Sequence, residues 1–365
     1  MRRLAWIAGL VLVAFGIFFV WRAWHPFAPK HPRPRPVTPK PRPITITFVG
    51  DIMLASQVGG LAATRGAASL FSGVTSTLQA DDLTIGNLEC AVATCGSPAN
   101  KKYTFRASPN VLPGLRKGGI DAVTLANNHS LDYGRAALLE TMKHLREADL
   151  PWAGAGTDAA SANRPVVLRA GRQTVALVGA SRVLPTGDWI AGDHRPGVAA
   201  TYDPALLLAA IRAARAKAGL VVVYVHWGTE RMTRPHSYQR ALARRCIDAG
   251  ADLVVGSHPH VLQGFEYYRG KLIAYSLGNF VFNNRTRATA MLQTRFRGRA
   301  LERATVIPCW VVQYRPQIIG DARARLRAIR NLEQLSYAVR ISDSGGLSPG
   351  ASRSRPNGHG PNGAR

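Results

Sequence analysis

The stretch that decides the fold is residues 250–261, GADLVVGSHPHV, in which an apolar run leads directly into two histidines. Its segment LVVG has the length and β-branching of a strand covered on both faces, and Gly256 marks the end of that strand. Pro259 is expected to hold His258 in extended or polyproline geometry, which lets His258 and His260 reach two neighbouring points. Because neutral imidazole is the commonest metal ligand, the pattern predicts a metal site at a strand end. Two incidental histidines in a polar loop are the alternative.

The same plan recurs along the chain. Strand-like apolar runs alternate with segments of helical periodicity, such as residues 135–149, 204–218 and 321–335, and this order is typical of an α/β fold. Open α/β sheets bind ligands at the carboxyl ends of their strands. A polar residue stands at the end of the runs ITITFVG, DLTIGNLE, DAVTLANNH, LVVVYVHWG and DLVVGSHPH. We therefore expect one edge to gather Asp51, Glu89, Asn128, His226 and His258.

With His260 added, this group offers carboxylate, carboxamide and imidazole ligands, a donor set that suits Mn, Fe or Zn. Two such ions about 3.5–4 Å apart activate water and clamp the attacking and leaving oxygens of a hydrolysis. Glu89 is the candidate bridge, Asn128 would serve the second ion, and His129 would protonate a leaving group. Asp132 is expected to fix an imidazole from behind. The set predicts metal-assisted hydrolysis.

Several of these residues have structural alternatives. His226 could be a hydrogen-bonded core histidine, and His129 could simply orient Asp132 or a ligand. Tyr103 and Arg106, in and after the run KKYTF, are candidates for the substrate entrance, with packing of their own loop as the other interpretation.

Six motifs carry a resemblance to a known family. They are GDIML (50–54), GNLE (86–89), ANNHSLDYG (126–134), VHWG (225–228), GSHPHV (256–261) and SLGNFVF (276–282). Together they resemble the CapA family of bacterial capsule, or poly-γ-glutamate, synthesis proteins over residues 44–335. That family is similar to calcineurin-like metallophosphoesterases. The resemblance implies a four-layer α/β/β/α sandwich of the metallo-dependent phosphatase type.

The resemblance also implies roles for single residues. One ion would lie at Asp51, Glu89 and His260, and the other at Glu89, Asn128, His226 and His258. His129 would be the proton donor, and Asn279 would lie in the pocket. The phosphoesterase motif Asp-x-His has Met53 at its third position here, and the bridging residue is Glu89 where that superfamily usually has Asp. Because a thioether is a poor ligand for these ions, we expect Met53 to be a packing residue and the two ions to differ in affinity.

The amino-terminal part predicts a membrane anchor and a spacer. Residues 4–20 are uncharged and long enough to span hydrocarbon, and Trp6, Trp21 and Trp24 supply interfacial aromatics. Residues 26–43 hold eight prolines and no acidic residue, which is typical of an extended, semi-rigid linker. We expect a cytoplasmic stub and single-pass anchor in 1–25, a folded domain outside the cytoplasm in 44–341, and a disordered tail in 342–365. A cleaved signal peptide is the alternative, although no small-x-small site follows.

The charge of the chain indicates an anionic partner. Its 47 Lys and Arg against 21 Asp and Glu give a formal net charge of +26. This balance favours an anionic polymer, a phosphorylated substrate or anionic lipid. Nucleic acid is disfavoured because no RNP-like, helix-turn-helix or zinc-finger pattern accompanies the basic clusters. Cys90 and Cys95 are close enough for a local disulfide, which would suit an oxidising compartment, but the sequence does not fix their pairing.

These observations predict a membrane-anchored metallohydrolase that acts on an anionic envelope polymer or a phosphorylated carrier in capsule synthesis. The alternative is a noncatalytic polymer-binding or export component of a capsule synthase complex, in which one remaining metal is structural. Met53, the anchor and the basic charge motivate this second hypothesis.

Overall fold

A computed structural model describes residues 42–283 and 286–350. The predicted anchor, most of the predicted linker and residues 351–365 lie outside the described residues. Within the described ranges, no helix combines the length and apolarity needed to cross a bilayer.

Helices and strands alternate along the described chain. The α-helices are α1 (Ser56–Arg65), α2 (Thr75–Gln79), α3 (Leu112–Gly118), α4 (Gly134–Glu147), α5 (Ala159–Ala162), α6 (Ala205–Arg215), α7 (Ser237–Asp248) and α8 (Ala322–Leu335). The strands up to residue 198 are β1 (Ile44–Ile52), β2 (Leu83–Leu88), β3 (Ala91–Val92), β4 (Arg106–Ala107), β5 (Ala122–Thr124), β6 (Trp152–Ala153), β7 (Ala155–Gly156), β8 (Val166–Ala170), β9 (Gln173–Ser181) and β10 (Gly197–Val198). The later strands are β11 (Leu220–His226), β12 (Leu253–Ser257), β13 (Leu262–Tyr268), β14 (Lys271–Leu277), β15 (Asn279–Val281), β16 (Ala288–Arg297), β17 (Ala300–Val312), β18 (Arg315–Ile318), β19 (Val339–Ile341) and β20 (Leu347–Pro349). Short 3₁₀ helices cover Ala67–Phe71, Pro109–Val111 and Gly187–Trp189.

Two large sheets organise the described residues. The first sheet has the order β18-β17-β16-β1-β2-β5-β6, with β15 also paired to β1. The second has the order β13-β14-β12-β11-β9-β8. Strands β1, β2 and β5 run parallel, and so do β9, β11, β12 and β14, whereas antiparallel strands lie toward the edges. The parallel strands bring their carboxyl ends to the same side of each sheet.

Alternating side chains of β11 show how the layers stack. Val221, Val223 and Val225 pack with the apolar faces of α6 and α7, while Val222 and Tyr224 pack in the core between the two sheets. Because strand side chains point alternately to opposite faces, a continuous apolar run is what a doubly covered strand requires. On the far side, the outer face of the first sheet packs against α1 to α4. The layers therefore run helix, sheet, sheet, helix, and the predicted mixed α/β class is confirmed.

The chain changes sheets within residues 276–282. Strand β14 belongs to the second sheet, whereas β15 pairs with β1 of the first, and Gly278 between them has φ +71°. Residues 305–314 lie largely in β17, which pairs with β16 and β18.

The predicted start of the disordered tail, at residue 342, needs correction. Strand β20 pairs with β19, and Leu347 is buried among the residues between the sheets. Asp343 forms an ion pair with Arg330 of α8. One buried leucine and a hairpin are enough to order residues 343–350, which composition alone had placed in the tail.

The two neighbouring cysteines are not bonded to each other. Cys90 is buried in the core and Cys95 is exposed, and both are free thiols. Burial raises the pKa of the Cys90 thiol to about 12, so that it behaves as an apolar core residue.

Gly50→Ala tests the junction of β1 and β15. A methyl group at residue 50 would lie 1.8 Å from the carbonyl oxygen of Gly278, a backbone atom that cannot move aside alone. We expect a loss of about 3 kcal/mol in the free energy of unfolding, measured by urea denaturation. Gly60→Ala, in the exposed middle of α1 with no atom near the new methyl group, should instead stabilise the protein by about 0.5–1 kcal/mol. Equal effects of the two substitutions would contradict this packing.

Candidate metal centre

The candidate site lies where the carboxyl ends of strands from both sheets meet. In the first sheet, Asp51 of β1 stands beside Asn87 of β2 and Asn279 of β15. In the second sheet, His226 of β11 stands beside Ser257 of β12. The residues predicted for one edge are therefore divided between two sheets. Asp51, Glu89 and Asn128 come from the first sheet and its loops, and His226, His258 and His260 come from the second.

The first ligand group consists of Glu89, His226 and His258, all buried. Each offers one ligand atom, and these atoms lie within 4.8 Å of one another. Asn128 joins them, since its Oδ1 is 2.8 Å from His226 Nε2. The opposite ring nitrogen, His226 Nδ1, lies 3.0 Å from Ser257 Oγ. Contacts to both nitrogens fix the ring so that Nε2 faces Glu89 and Asn128.

The second ligand group consists of Asp51, Glu89 and His260, so Glu89 belongs to both groups. His260 Nδ1 is 3.4 Å from Asp51 Oδ2 and 2.8 Å from Asn279 Oδ1. Asn279 in turn donates from Nδ2 to Thr286 Oγ1 at 2.7 Å, which fixes its oxygen toward the imidazole. The structure thus gives Asn279, whose role the sequence left open, a contact that orients His260.

The buried Glu89 carboxylate provides the test of whether these residues fit a cation. Its Oε1 has no hydrogen-bond partner among the described residues, and neither does His258 Nδ1. Yet Glu89 Oε1 lies 3.8 Å from His226 Nε2 and 3.9 Å from both His260 Nε2 and His129 Nε2. These separations are too long for hydrogen bonds, but they suit ligands that each approach one ion to about 2.0–2.2 Å.

Electrostatics support the same interpretation. Burial, followed by the neighbouring charge of Asp51, raises the pKa of Glu89 well above its ordinary value. Burial also lowers the pKa of His226 well below its usual range and lowers that of His258 to about 3. The Glu89 carboxylate therefore lies among neutral imidazoles with no positive charge from them to stabilise it, and a divalent ion would supply that charge. The nitrogen and oxygen donors fit Mn, Fe or Zn.

Met53 does not contribute a ligand to either group. Its side chain is 3 % exposed, packs in the apolar core outside the first sheet, and accepts a hydrogen bond at Sδ from the Ala55 amide at 3.2 Å. The second group therefore lacks the imidazole that the motif Asp-x-His would add.

The backbone of residues 258–260 differs from the sequence prediction. His258 has φ +97° and His260 has φ +57°, so Pro259 does not hold His258 in extended geometry. Tertiary contacts override the local preference: the His258 amide donates to Asp51 Oδ2 at 3.3 Å, and the Pro259 carbonyl accepts from the Arg231 amide at 2.8 Å. Such conformations cost about 1–3 kcal/mol each and are typical of functional sites.

His129 is held on the other side of Glu89 by a buried acid. Its Nδ1 lies 2.7 Å from Asp132 Oδ2, and Asp132 also accepts from the Phe105 amide and, at 2.6 Å, from Lys101 Nζ. Burial lowers the pKa of His129, although Asp132 opposes the shift. At neutral pH the ring therefore keeps its proton at Nδ1 and presents Nε2 as an acceptor. Asp132 acts through His129, as a positioning residue.

Sequence reasoning missed two residues that organise the site. Asn87 donates from Nδ2 to Asp51 Oδ1 at 2.9 Å and to Glu89 Oε2 at 3.3 Å. Lys101 donates to the Asn128 carbonyl as well as to Asp132. A signal existed for Asn87, because residues i and i+2 of a strand share a face and Asn87 stands two positions before Glu89. No local signal marked Lys101, which reaches the site from a loop.

A cavity of about 250 Å³ opens beside the two ligand groups. His129, His260 and Asn279 line its inner end. Its walls include Tyr103, Phe105, Phe282, Tyr314, Glu230 and Arg231. Tyr103, a predicted substrate-entrance residue, is thus one of the residues that line this cavity. Arg106 does not line the cavity: its guanidinium packs 4.2 Å from the ring of Tyr133 and donates to the Cys95 and Gly96 carbonyls, which is the alternative loop-packing role.

Comparison with known proteins identifies the family of this chain. A family model described as bacterial capsule synthesis protein PGA_cap matches residues 45–284. The capsule biosynthesis protein CapA of Bacillus anthracis is 34% identical over 300 residues, which are 79% of this chain and 72% of that protein. The chain belongs to the PGA_cap family of bacterial capsule synthesis proteins. The resemblance seen in the six motifs is thereby confirmed.

Further comparisons extend over most of this PGA_cap chain. The PGA biosynthesis protein CapA of Bacillus subtilis is 32% identical over 341 residues, which are 91% of this chain and 89% of that protein. Among solved structures, the sulfate thiohydrolase SoxB of Thermus thermophilus covers 75% of this chain and 56% of its own, with 16% identity and a TM-score of 0.42.

The two ligand groups of this PGA_cap protein should respond differently to acid. Burial disfavours the imidazolium form of His260, but the hydrogen bond and charge of Asp51 outweigh it and raise the pKa, whereas His226 and His258 stay neutral. Since a ligand imidazole must be unprotonated, the group with His260 loses a cation first as the pH falls from about 8 to 6, by up to roughly tenfold in affinity per unit. Calorimetric titration with Mn²⁺ at both pH values measures this. Parallel weakening of both binding events would contradict it.

Proposed function

We propose that this protein is a metal-dependent hydrolase of anionic capsule polymer synthesis, acting on the polymer or on a phosphorylated carrier. The observation that carries the proposal is Glu89 Oε1, buried without a hydrogen-bond partner among the described residues and surrounded by three imidazole nitrogens. We infer a metallophosphoesterase-type dinuclear centre, with Asp51, Glu89 and His260 at one ion and Glu89, Asn128, His226 and His258 at the other. The identity of the ions is open among Mn, Fe and Zn.

Bound divalent ions would act as Lewis acids on a phosphoryl or carbonyl oxygen of the substrate. The chain's own residues would supply orientation and proton transfer. Asn279 holds His260, Asn87 holds the two carboxylates, and Lys101 holds Asp132. His129, oriented by Asp132, presents Nε2 to the cavity as a proton acceptor. For His129 to act as the predicted proton donor, a nearby anionic group would have to raise its pKa so that the ring becomes protonated.

The capsule context comes from the relatives. Their names assign them to capsule and PGA biosynthesis, and this chain shares their family. The net charge of +26 supports an anionic polymer or a phosphorylated substrate as the partner. We further propose that residues 4–20 anchor the protein in the cell membrane as a single pass, with the folded domain outside the cytoplasm and within reach of capsule synthase subunits.

The direct test is turnover by the purified, Mn- or Zn-loaded full chain. A phosphodiester and a γ-linked glutamate oligomer are the substrates, and His226→Ala and His258→Ala are the variants. We expect hydrolysis of one substrate and a loss of at least roughly 100-fold in each variant. His144→Ala, a half-buried α4 residue that pairs with Glu140 and Glu147 and belongs to neither ligand group, is the control and should retain activity. Absence of turnover that depends on His226 and His258 would refute the hydrolase.

One observation favours a second function. The Met53 sulfur accepts from the Ala55 amide and does not serve as a ligand, so the group of Asp51, Glu89 and His260 has fewer ligands than the other group. The alternative function is therefore that of a noncatalytic polymer-binding or export component with one structural ion. Polymer production that survives His258→Ala but fails when residues 1–43 are deleted would favour this function over the hydrolase.

A further inference from the structure

A basic track runs along α8, away from the two ligand groups. One cavity of about 730 Å³ is lined by Arg240, Arg244, Arg330 and Arg340. A neighbouring cavity of about 440 Å³ is lined by Arg323, Arg327 and again Arg330. Gln334 also lines both, so the two cavities adjoin. We call these six arginines the basic track.

The track carries more positive charge than its own acids neutralise. Two glutamates line it, Glu266 and Glu333. Glu266 accepts from both Arg240 and Arg244, and Arg330 pairs with Glu333 at 3.1 Å and also with Asp343. Within residues 42–283 and 286–350, Arg323, Arg327 and Arg340 form no ion pair. The surplus guanidiniums are therefore available to an anion in solution.

The spacing of the arginines favours an extended ligand over a single small anion. Arg323, Arg327 and Arg330 stand at positions i, i+4 and i+7 of α8, which places them along one face of the helix. Arg240, Arg244 and Arg340 continue the charge into the larger cavity. A linear polymer with a charge on each unit can contact successive guanidiniums, and effective concentration then strengthens the binding.

The aromatic groups at the track argue against nucleic acid. Single-stranded nucleic acid is bound by stacking its bases on aromatic rings. The ring of Tyr337 is covered by the Arg240 guanidinium at 3.9 Å, and Tyr267, the other tyrosine that lines the larger cavity, packs against the core between the sheets. Meanwhile Glu266 already shows how a carboxylate is held between two of these guanidiniums. The chemistry matches carboxylates better than bases.

A hydrogen bond connects the track to the cavity of the candidate metal centre. Arg234 donates from Nη2 to the Gln334 carbonyl at 3.0 Å. The same loop carries Glu230 and Arg231, which line the cavity beside His129 and His260. An extended chain lying on α8 would thus meet this loop next.

We propose that the basic track is a binding site for a linear polycarboxylate, separate from the metal ligands. Because this binding requires no metal and no hydrolysis, it can be tested independently of the proposed function.

The test is binding of a labelled poly-L-glutamate oligomer to the full-length chain, followed by fluorescence anisotropy at fixed salt. The double variant Arg327→Gln/Arg340→Gln removes exposed guanidiniums that pair with no carboxylate among the described residues. We expect its affinity to fall roughly five- to thirtyfold. The control Arg169→Gln/Arg172→Gln removes the same charge from the exposed β8–β9 hairpin and should change affinity less than roughly twofold.

Three outcomes decide the proposal. Selective loss in the track variant, unchanged by a chelator and largely restored by Arg327→Lys/Arg340→Lys, supports it. Equal loss in both Gln variants would show attraction to net charge alone and overturn it. Tighter binding of single-stranded DNA than of polyglutamate, with the same dependence on Arg327 and Arg340, would also overturn it. A hydrolase assay that fails while polyglutamate binding follows the track would refute only the proposed function.

Discussion

Glu89→Gln is expected to abolish tight binding of both divalent ions, with a loss of at least roughly 100-fold in affinity. Glu89 belongs to both ligand groups, so one substitution weakens two sites. Glutamine keeps the size of the side chain but removes the negative charge and leaves one amide oxygen, which cannot bridge as a carboxylate does. The measurement is metal content after dialysis together with calorimetric titration of Mn²⁺.

The stability of the metal-free variant separates ligand loss from misfolding. Because burial and Asp51 raise the pKa of Glu89, its ionised form lowers stability at any pH above that raised value. Metal-free Glu89→Gln should therefore unfold at the same temperature as the parent or higher, while the rise in melting temperature on adding Mn²⁺ disappears. Glu147→Gln, on the exposed end of α4, is the matched control and should keep that rise. A variant that binds Mn²⁺ like the parent would rule out Glu89 as the bridge.

His258→Ala should remove more metal than His260→Ala. His258 belongs to the group that also contains Glu89, His226 and the Asn128 oxygen. His260 belongs to the group that contains only Asp51 and Glu89 besides, because the Met53 sulfur accepts from the Ala55 amide and is not a ligand. We expect His258→Ala to weaken the tighter binding event by roughly 100-fold or more, and His260→Ala to leave that event within roughly tenfold of the parent.

The measurement is metal stoichiometry and affinity for both variants under identical conditions, at a pH near 8. His194→Ala, an exposed histidine distant in sequence from the ligands, provides the control. Equal metal loss from His258→Ala and His260→Ala would contradict two unequal sites and would instead indicate a single shared ion.

Local pattern was sufficient for the elements that carry the site. The sequence pattern identified the apolar runs of β1, β2, β11 and β12 together with the polar residues at their carboxyl ends. A strand covered on both faces needs a continuous apolar run, so a polar ligand residue is recognisable where that run ends. Helices α4, α6 and α8 begin and end within a few residues of their predicted bounds, since helical periodicity is also a local property. The six ordered motifs were enough to indicate the family, which the comparisons confirmed.

The sequence by itself therefore determined the α/β class, the family and the residue types that stand at the strand ends. Only the tertiary structure decided that those ends belong to two sheets, that His258 takes a positive φ against the preference imposed by Pro259, and that Lys101 supports Asp132. It also decided that residues 343–350 pair with the domain and that Cys90 and Cys95 stay apart. The physical reason is the same in each case: these features depend on contacts between residues far apart in the chain, and such contacts leave no periodicity in the sequence.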